Sequence, residues 1–158
     1  MSLYPDDVPF KVVSEPWCEY DVGDNCILRT KLVLIKVLKP PGVSLDRIRE
    51  LNFKTHQLFA VYAPSDKKGA PETRQMTPEF LEDSIVEDIE PKPKKTPKNQ
   101  YELKNGIKIR LSLALTRVAK TDIYSDDGSP VIVVSHQIVP QIIFPKRKRS
   151  KKKSTSVV

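Results

Sequence analysis

The feature that most constrains this fold is the likeness of one stretch of the chain to another. Residues 20–39, YDVGDNCILRTKLVLIKVLK, align without a gap onto residues 101–120, YELKNGIKIRLSLALTRVAK, at an offset of 81. Six of the twenty positions are identical and four more are conservative, whereas ordinary residue usage gives roughly one identity. We interpret the two stretches as copies of one segment.

A second likeness extends the copies. The dipeptide His-Gln occurs at residues 56–57 and again at 136–137, an offset of 80, and in both places an apolar run ending in proline follows. The two similar stretches occur in the same order in both copies and at nearly the same spacing. The chain is therefore expected to contain two copies of one unit, residues 20–64 and 101–145, with the histidines at equivalent positions.

Within the unit the hydrophobic pattern has a period of two. In residues 107–116, IKIRLSLALT, apolar residues alternate with mostly polar ones, which predicts a strand with one buried face. The Asn-Gly pair before it tolerates positive φ and predicts a hairpin turn. The runs at 53–63 and 130–144 predict the third strand of each unit, and Pro140 indicates a bulge or an edge strand.

A unit of this length is close to the size below which a core rarely supports itself. The two units should therefore share one core. We expect a mainly β, internally duplicated, pseudo-twofold small barrel or sandwich of about six strands, forming a single domain over residues 1–145.

The connections are expected to hold one or two short helices. Ser44 is a candidate N-cap in the first unit. Between the units, TPEFLEDSIVEDIE (residues 77–90) has Thr at the N-cap and Pro at the first helical position, which predicts a short amphipathic helix. The proline-rich, charged PKPKKTPK that follows predicts an exposed linker. Residues 65–100 are thus expected to be a helix plus a linker.

The net charge of +7 comes from the end of the chain. KRKRSKKK, residues 146–153, holds seven basic residues and no acid, so the rest of the chain has 20 of each sign. We expect 146–158 to be a disordered tail that binds phosphates without reading sequence. The predicted nucleic-acid-binding residues there are Lys146, Arg147, Lys148, Arg149, Lys151, Lys152 and Lys153.

Two arginines of the folded part are further candidates. Arg29 and Arg110 are equivalent in the two copies and lie on the mostly polar strand face, where basic strips would suit nucleic-acid backbones. The best candidates for base stacking are tyrosines, namely Tyr20, Tyr101 and Tyr124. Apolar residues on the same face of the first copy favour burial or a protein contact instead.

Catalytic and metal-binding patterns are absent from the sequence. The two cysteines and two histidines lack the spacing that lets one turn present two metal ligands. No nucleophile elbow, zinc-protease motif or glycine-rich phosphate loop occurs. The paired acids at 126–127 have an ordinary turn composition. Cys18 and Cys26 are expected to be unpaired thiols. We expect no enzyme activity, metal or cofactor.

The sequence therefore predicts a non-enzymatic binding or scaffold module whose tail attaches it to nucleic acid or another polyanion. The alternative is a subunit that contacts another protein, or a second copy of itself, and whose tail only aids solubility. An enzyme ranks third. Because the chain has no apolar run long enough to span a bilayer and no signal-like start, we expect a cytoplasmic protein, or a nuclear one in a nucleated cell, without a membrane span.

Overall fold

The computed structural model describes residues 3–48 and 50–145. Those residues form two antiparallel sheets of five strands each, one of them a half-barrel, with one short helix, α1 (Pro78–Asp83). In chain order the strands are β1 (Asp6–Val8), β2 (Lys11–Ser14), β3 (Trp17–Asp21), β4 (Ile27–Lys39), β5 (Asn52–Tyr62), β6 (Ile85–Ile89), β7 (Lys92–Lys95), β8 (Asn99–Glu102), β9 (Lys108–Tyr124) and β10 (Pro130–Ile143).

Each sheet is built around one long strand. In the first sheet, β4 pairs with β5 along one edge and with β3 and then β1 along the other, and β7 pairs with β3. In the second sheet, β9 pairs with β10 along one edge and with β8 and β6 along the other, and β2 pairs with β8. Neither sheet is therefore built from consecutive strands alone: in chain order, β2 and β6 each lie in the second sheet between strands of the first, and β7 lies in the first, so the chain passes between the sheets five times.

The strand register is the same in the two sheets. Tyr20 on β3 lies opposite Leu28 on β4, and Tyr101 on β8 lies opposite Ile109 on β9. The pairings between β4 and β5 likewise have counterparts between β9 and β10 at the offset of the sequence likeness. The alternating pattern puts one side of each long strand inward, and Ile109 and Leu111 are fully buried there.

The predicted strands are confirmed as strands, but fewer were predicted than the structure contains. β4, β5, β9 and β10 lie where the alternating runs predict them, Asn105 and Gly106 have positive φ at the predicted turn, and Pro140 lies on an edge strand. The described residues hold ten strands rather than about six. The extra ones are short, three to five residues each, too short to show a period of two.

The expectation for residues 65–100 is partly wrong. Thr77 caps α1 as predicted, and its hydroxyl accepts a hydrogen bond from the Phe80 amide at 3.1 Å. The helix ends at Asp83, however, and the following IVEDI is β6, because β9 offers it an unpaired edge. The predicted linker contains β7, whose lysines are all exposed while its backbone pairs with β3. The candidate helix after Ser44 is a single 3-10 turn, Leu45–Arg47.

Candidate nucleic-acid interface

The outer face of the first sheet carries a group of cations around two aromatic rings. Residues directly opposite each other on antiparallel strands share a face, so the pairings place these side chains together on the side away from Leu28 and Leu32. We call this surface the aromatic–cationic face. Its defining residues are Trp17, Arg29, Lys31, Lys54, Tyr62, Lys92 and Lys95.

Arg29 lies between the two rings of this face. Its guanidinium carbon is 4.7 Å from the centroid of the Trp17 ring and 5.7 Å from that of the Tyr62 ring. The Lys31 ammonium is 5.8 Å from the Trp17 centroid. These distances fall in the cation–π range. The strands set this geometry, because Trp17 lies opposite Lys31 and Tyr62 lies opposite Ile27, two residues from Arg29 on β4.

The polar contacts of the Arg29 guanidinium are long. Nη1 donates to the Tyr62 hydroxyl at 3.4 Å, and Nε lies 3.5 Å from a Glu19 carboxylate oxygen. Within the described residues the buried Nε makes no hydrogen bond. A guanidinium has five N–H donors in a planar fork, and packing against two rings holds that fork in place at Arg29.

Acidic residues offset part of this charge. Glu19 lies opposite both Arg29 and Lys95, and Asp21 lies opposite Lys92. The salt bridge between Arg29 and Glu19 is partly solvent-exposed and therefore weak. Lysines still outnumber acids on the face, and its edge strand β7 is exposed along its whole length. The net charge of the surface is positive.

The outer face of the second sheet has a different composition at equivalent positions. Arg110 is exposed and lies opposite Gln100 and Gln141. Ile143 occupies the place of Tyr62, opposite the first residue of the long strand. Arg117, which also belongs to this sheet, pairs with Glu82 at 2.8 Å and with Asp88 at 3.2 Å. The structure thus gives Arg29 aromatic neighbours and Arg110 neutral polar ones.

The tyrosines predicted to stack bases are not at the surface. Tyr20 and Tyr101 are only 8% and 1% exposed and belong to the two hydrophobic clusters of the core. The prediction was wrong because it did not assign either tyrosine to the inward side of its strand. Tyr124 is half-buried next to Gly69. The residues that the sequence reasoning missed are Trp17 and Tyr62, which lie beside Arg29 through the register of β3 and β5 with β4.

Tyr101 anchors a buried polar network in the second sheet. Its hydroxyl donates to a Glu15 carboxylate oxygen at 2.6 Å and accepts from the Asn99 amide at 2.9 Å. The same Glu15 oxygen accepts from the Leu34 amide at 3.0 Å, and Asn99 donates to the Leu32 carbonyl at 2.6 Å. Burial, and next the Glu15 hydrogen bond, raise the pKa of Tyr101. The network joins β8 to β4 and so connects the two sheets.

The histidines form no pair, and they are not at equivalent positions. His56 is exposed and lies opposite Val33, whereas His136 is exposed and lies opposite Leu115, the counterpart of Leu34. The sequence offset of 80 therefore misplaces them by one position. The His136 ring contacts Phe59 at a centroid distance of 5.5 Å.

The described residues hold no group of three side chains of the kinds that bind metals. Cys18 and Cys26 are free thiols, as expected. Burial raises the pKa of both, which makes them poor nucleophiles. The paired acids lie in the turn between β9 and β10, where the Ser125 hydroxyl and the Ser129 amide donate to Asp127 and lower its pKa to about 2.

A cleft of about 890 Å³ lies between the end of β5 and the start of β10. Phe59, Val61, Ile132 and Val134 line it, and Tyr62 lies at its border with the aromatic–cationic face. In the described chain both flanking strands pair along one edge only. The cleft is therefore mostly apolar, with polar residues such as Lys68 and Asp127 in its lining, and unpaired strand edges border it.

Comparison with known proteins assigns no family. The chain matches no protein-family model, no curated protein and no solved structure at a significant level. Among residues 3–48 and 50–145, no helix is long and apolar enough to cross a membrane. The predicted tail, residues 146–158, lies outside the described residues.

Proposed function

We propose that the two halves of the chain are duplicated copies of one unit, each of which places one short strand in the sheet built mainly by the other. The shared register supports this, and so do local irregularities at matching positions of the two sheets. A bulge interrupts the long hairpin at Ile35 in the first sheet and at Thr116 in the second. Bulges and other irregularities are more specific marks of common descent than strand pairing itself.

The turns and an ion pair add to this support. Asp24 and Asn25 have positive φ in the first turn, as Asn105 and Gly106 do in the second. Lys36 pairs with Asp7 at 3.5 Å, and Arg117 pairs with Asp88 at 3.2 Å, at matching positions. The equivalence includes β1–β2 and β6–β7, so the proposed unit begins before residue 20.

We also propose that the protein is a non-enzymatic module that binds nucleic acid or another polyanion. The observation that carries this proposal is the aromatic–cationic face, where Arg29 is held between Trp17 and Tyr62. Lys31 on β4 and the lysines of β7 lie beside it. Fixed guanidinium and ammonium groups attract phosphates and release their counterions. Arg110, among neutral neighbours, makes the smaller contribution.

The basic tail supplies the second part of the proposed function. Its seven cations would add sequence-independent phosphate contacts and raise the association rate through long-range attraction. The tail follows Pro145, and the face belongs to the body of the protein, so the two contributions can be separated by truncation.

The test compares the full chain with a variant that ends at residue 145, each titrated with oligonucleotides over a range of salt concentrations. Each lost phosphate contact lowers the salt slope by about one. We expect truncation to reduce the slope by several contacts while leaving measurable affinity in the body. Affinity and slope that do not change on truncation would contradict the role of the tail.

One observation favours a second candidate, a protein-interaction subunit. The cleft beside Phe59 is mostly apolar and bordered by the unpaired edges of β5 and β10. An extended peptide could add there as a strand. In that case truncation would leave the relevant binding unchanged, and a polar substitution such as Val134→Asp would abolish it.

A further inference from the structure

The aromatic–cationic face leaves a ring exposed beside the cations. Tyr62 is 53% exposed. Leu58, which lies four residues before it on β5 and on the same face, is 38% exposed. Between them Ala60 lies opposite Arg29. The Arg29 side chain is 30% exposed. The face thus presents a ring and an apolar side chain on β5 beside a planar cation on β4.

We propose that this face binds single-stranded nucleic acid in preference to duplex, with unpaired bases stacked on Tyr62 and on the Arg29–Trp17 pair. This inference rests on the proposed polyanion binding and adds to it the kind of nucleic acid. Unpaired bases stack on aromatic rings and on arginine planes without regard to sequence.

The spacing of the groups supports this inference. Tyr62 and Leu58 are four residues apart on β5, which is about 13 Å, so each can contact a base while Arg29, opposite Ala60, lies between them. Lys31 lies beside Trp17 on β4, and Lys92 and Lys95 lie on the β7 side of the sheet. Phosphates can therefore contact these lysines while bases reach Tyr62.

A duplex cannot use this arrangement. Its bases are stacked on each other and it presents only phosphates and groove edges. On duplex DNA the lysines would still bind, but the exposed Tyr62 ring would gain no partner. The difference between single-stranded and duplex affinity therefore measures stacking, and affinity for a base-free polyanion measures charge alone.

Trp17 gives a direct signal, because it is the single tryptophan of the chain and lies within the proposed site. The full-length protein is titrated with an oligothymidylate of about 16 nucleotides, the upper site size of small β-barrel binders. Parallel titrations use a duplex of the same length and a heparin oligosaccharide. We expect quenching of Trp17 emission by the single strand, and weaker binding with little quenching by the other two.

Tyr62→Ala should reduce single-strand affinity about tenfold, the effect of losing one stacked base. It should change duplex and heparin affinity by less than about twofold, because phosphate contacts carry those complexes. Tyr62→Phe, which keeps the ring, should bind like the wild type. Ile143→Ala, at the equivalent position of the second sheet, is the matched control. Arg29→Lys keeps the charge but loses the plane, and should also lower the single-strand preference.

The outcomes separate the two proposals. Equal affinity for single strand and duplex, together with unchanged Trp17 emission and no effect of Tyr62→Ala, would overturn the stacking inference while polyanion binding stands. Failure of the full-length protein to bind any of the three probes would overturn the proposed function itself.

Discussion

The two sheets share a register but differ on their outer faces. At equivalent positions of the two sheets, Lys31 corresponds to Ser112, His56 to Gln137 and Lys54 to Ser135. Every one of these changes replaces a basic or titratable side chain with a neutral one. The inward residues Tyr20 and Tyr101 are identical. Packing constrains the inward side of each strand, whereas the outward side is free to differ. The first sheet combines its outward cations with the rings of Trp17 and Tyr62, whereas the second has Lys108 and Arg110 among aliphatic and polar side chains.

The largest expected effect tests whether the sheets fold as one unit. Leu111 is fully buried in the second sheet, so Leu111→Ala should lower the free energy of unfolding by about 3 kcal/mol. Trp17 lies in the first sheet, and its emission should report the same loss as far-ultraviolet circular dichroism does. Ser112→Ala, on the outer face, is the control. A Trp17 transition that does not move would mean that the sheets unfold independently.

The next effect sharpens the comparison of the outer faces. The double variant Arg29→Glu with Lys31→Glu should weaken oligonucleotide binding by about 30-fold and lower the salt slope by about two. The matched variant Arg110→Glu with Ser112→Glu should weaken it by about threefold or less. Affinity is measured by fluorescence anisotropy of a labelled oligonucleotide. Equal losses of affinity in the two double variants would show that both outer faces contribute equally to binding, which would contradict the proposed difference between them.

A smaller effect concerns the two buried tyrosines. Tyr101→Phe removes a hydroxyl that contacts Glu15 and Asn99, and leaving buried partners unsatisfied should cost about 1.5 kcal/mol. Tyr20→Phe should cost less, because Cys18 occupies the position equivalent to Asn99. Chemical denaturation of both variants measures the difference. A larger loss for Tyr20→Phe would contradict the assigned network.

The smallest effect concerns the turns that close the two long hairpins. In the second, the Ser125 hydroxyl and the Ser129 amide lower the pKa of Asp127 to about 2, and in the first the Ser44 hydroxyl lowers the pKa of Asp46. A carboxylate with a lowered folded-state pKa stabilises the fold above its unfolded pKa, near 4, and that contribution fades as pH falls towards 2. The difference in melting temperature between wild type and Asp127→Asn should therefore shrink over this interval.

Ser125→Ala provides the control for this pH dependence. It removes the largest cause of the lowered pKa, so the stability lost on acidification should be smaller than in the wild type and should be complete at a higher pH. A melting-temperature difference between wild type and Asp127→Asn that stays constant from pH 5 to about 2 would contradict the role of this turn.

The long strands could be predicted from the sequence, because each repeats the period-two hydrophobic pattern several times. The turn at Asn105 and the cap at Thr77 follow from residue types with specific backbone preferences. β6 and β7 could not be predicted from the sequence. Strands this short show no clear hydrophobic period, and the charged, proline-containing sequence of β7 is typical of a linker. Their place depends on unpaired edges of β9 and β3, which only the folded chain creates.

Only part of the candidate site could be predicted from the sequence. Arg29 follows from its place on the polar side of an alternating strand. Its aromatic neighbours depend on the register between three strands, and a shift of one residue would have turned Trp17 and Tyr62 to the other side. The same sensitivity explains the histidines, which match in sequence order yet differ by one position in the pairing of β5 and β10.

The most direct test of the specialised first sheet is a map of amide chemical-shift changes in the full-length protein on addition of single-stranded oligothymidylate. We expect the largest changes at Trp17, Arg29, Lys31 and Tyr62, and small ones at Gln100, Arg110 and Gln141 on the second sheet. Changes of equal size on both outer faces, or changes confined to residues 146–158, would contradict the account.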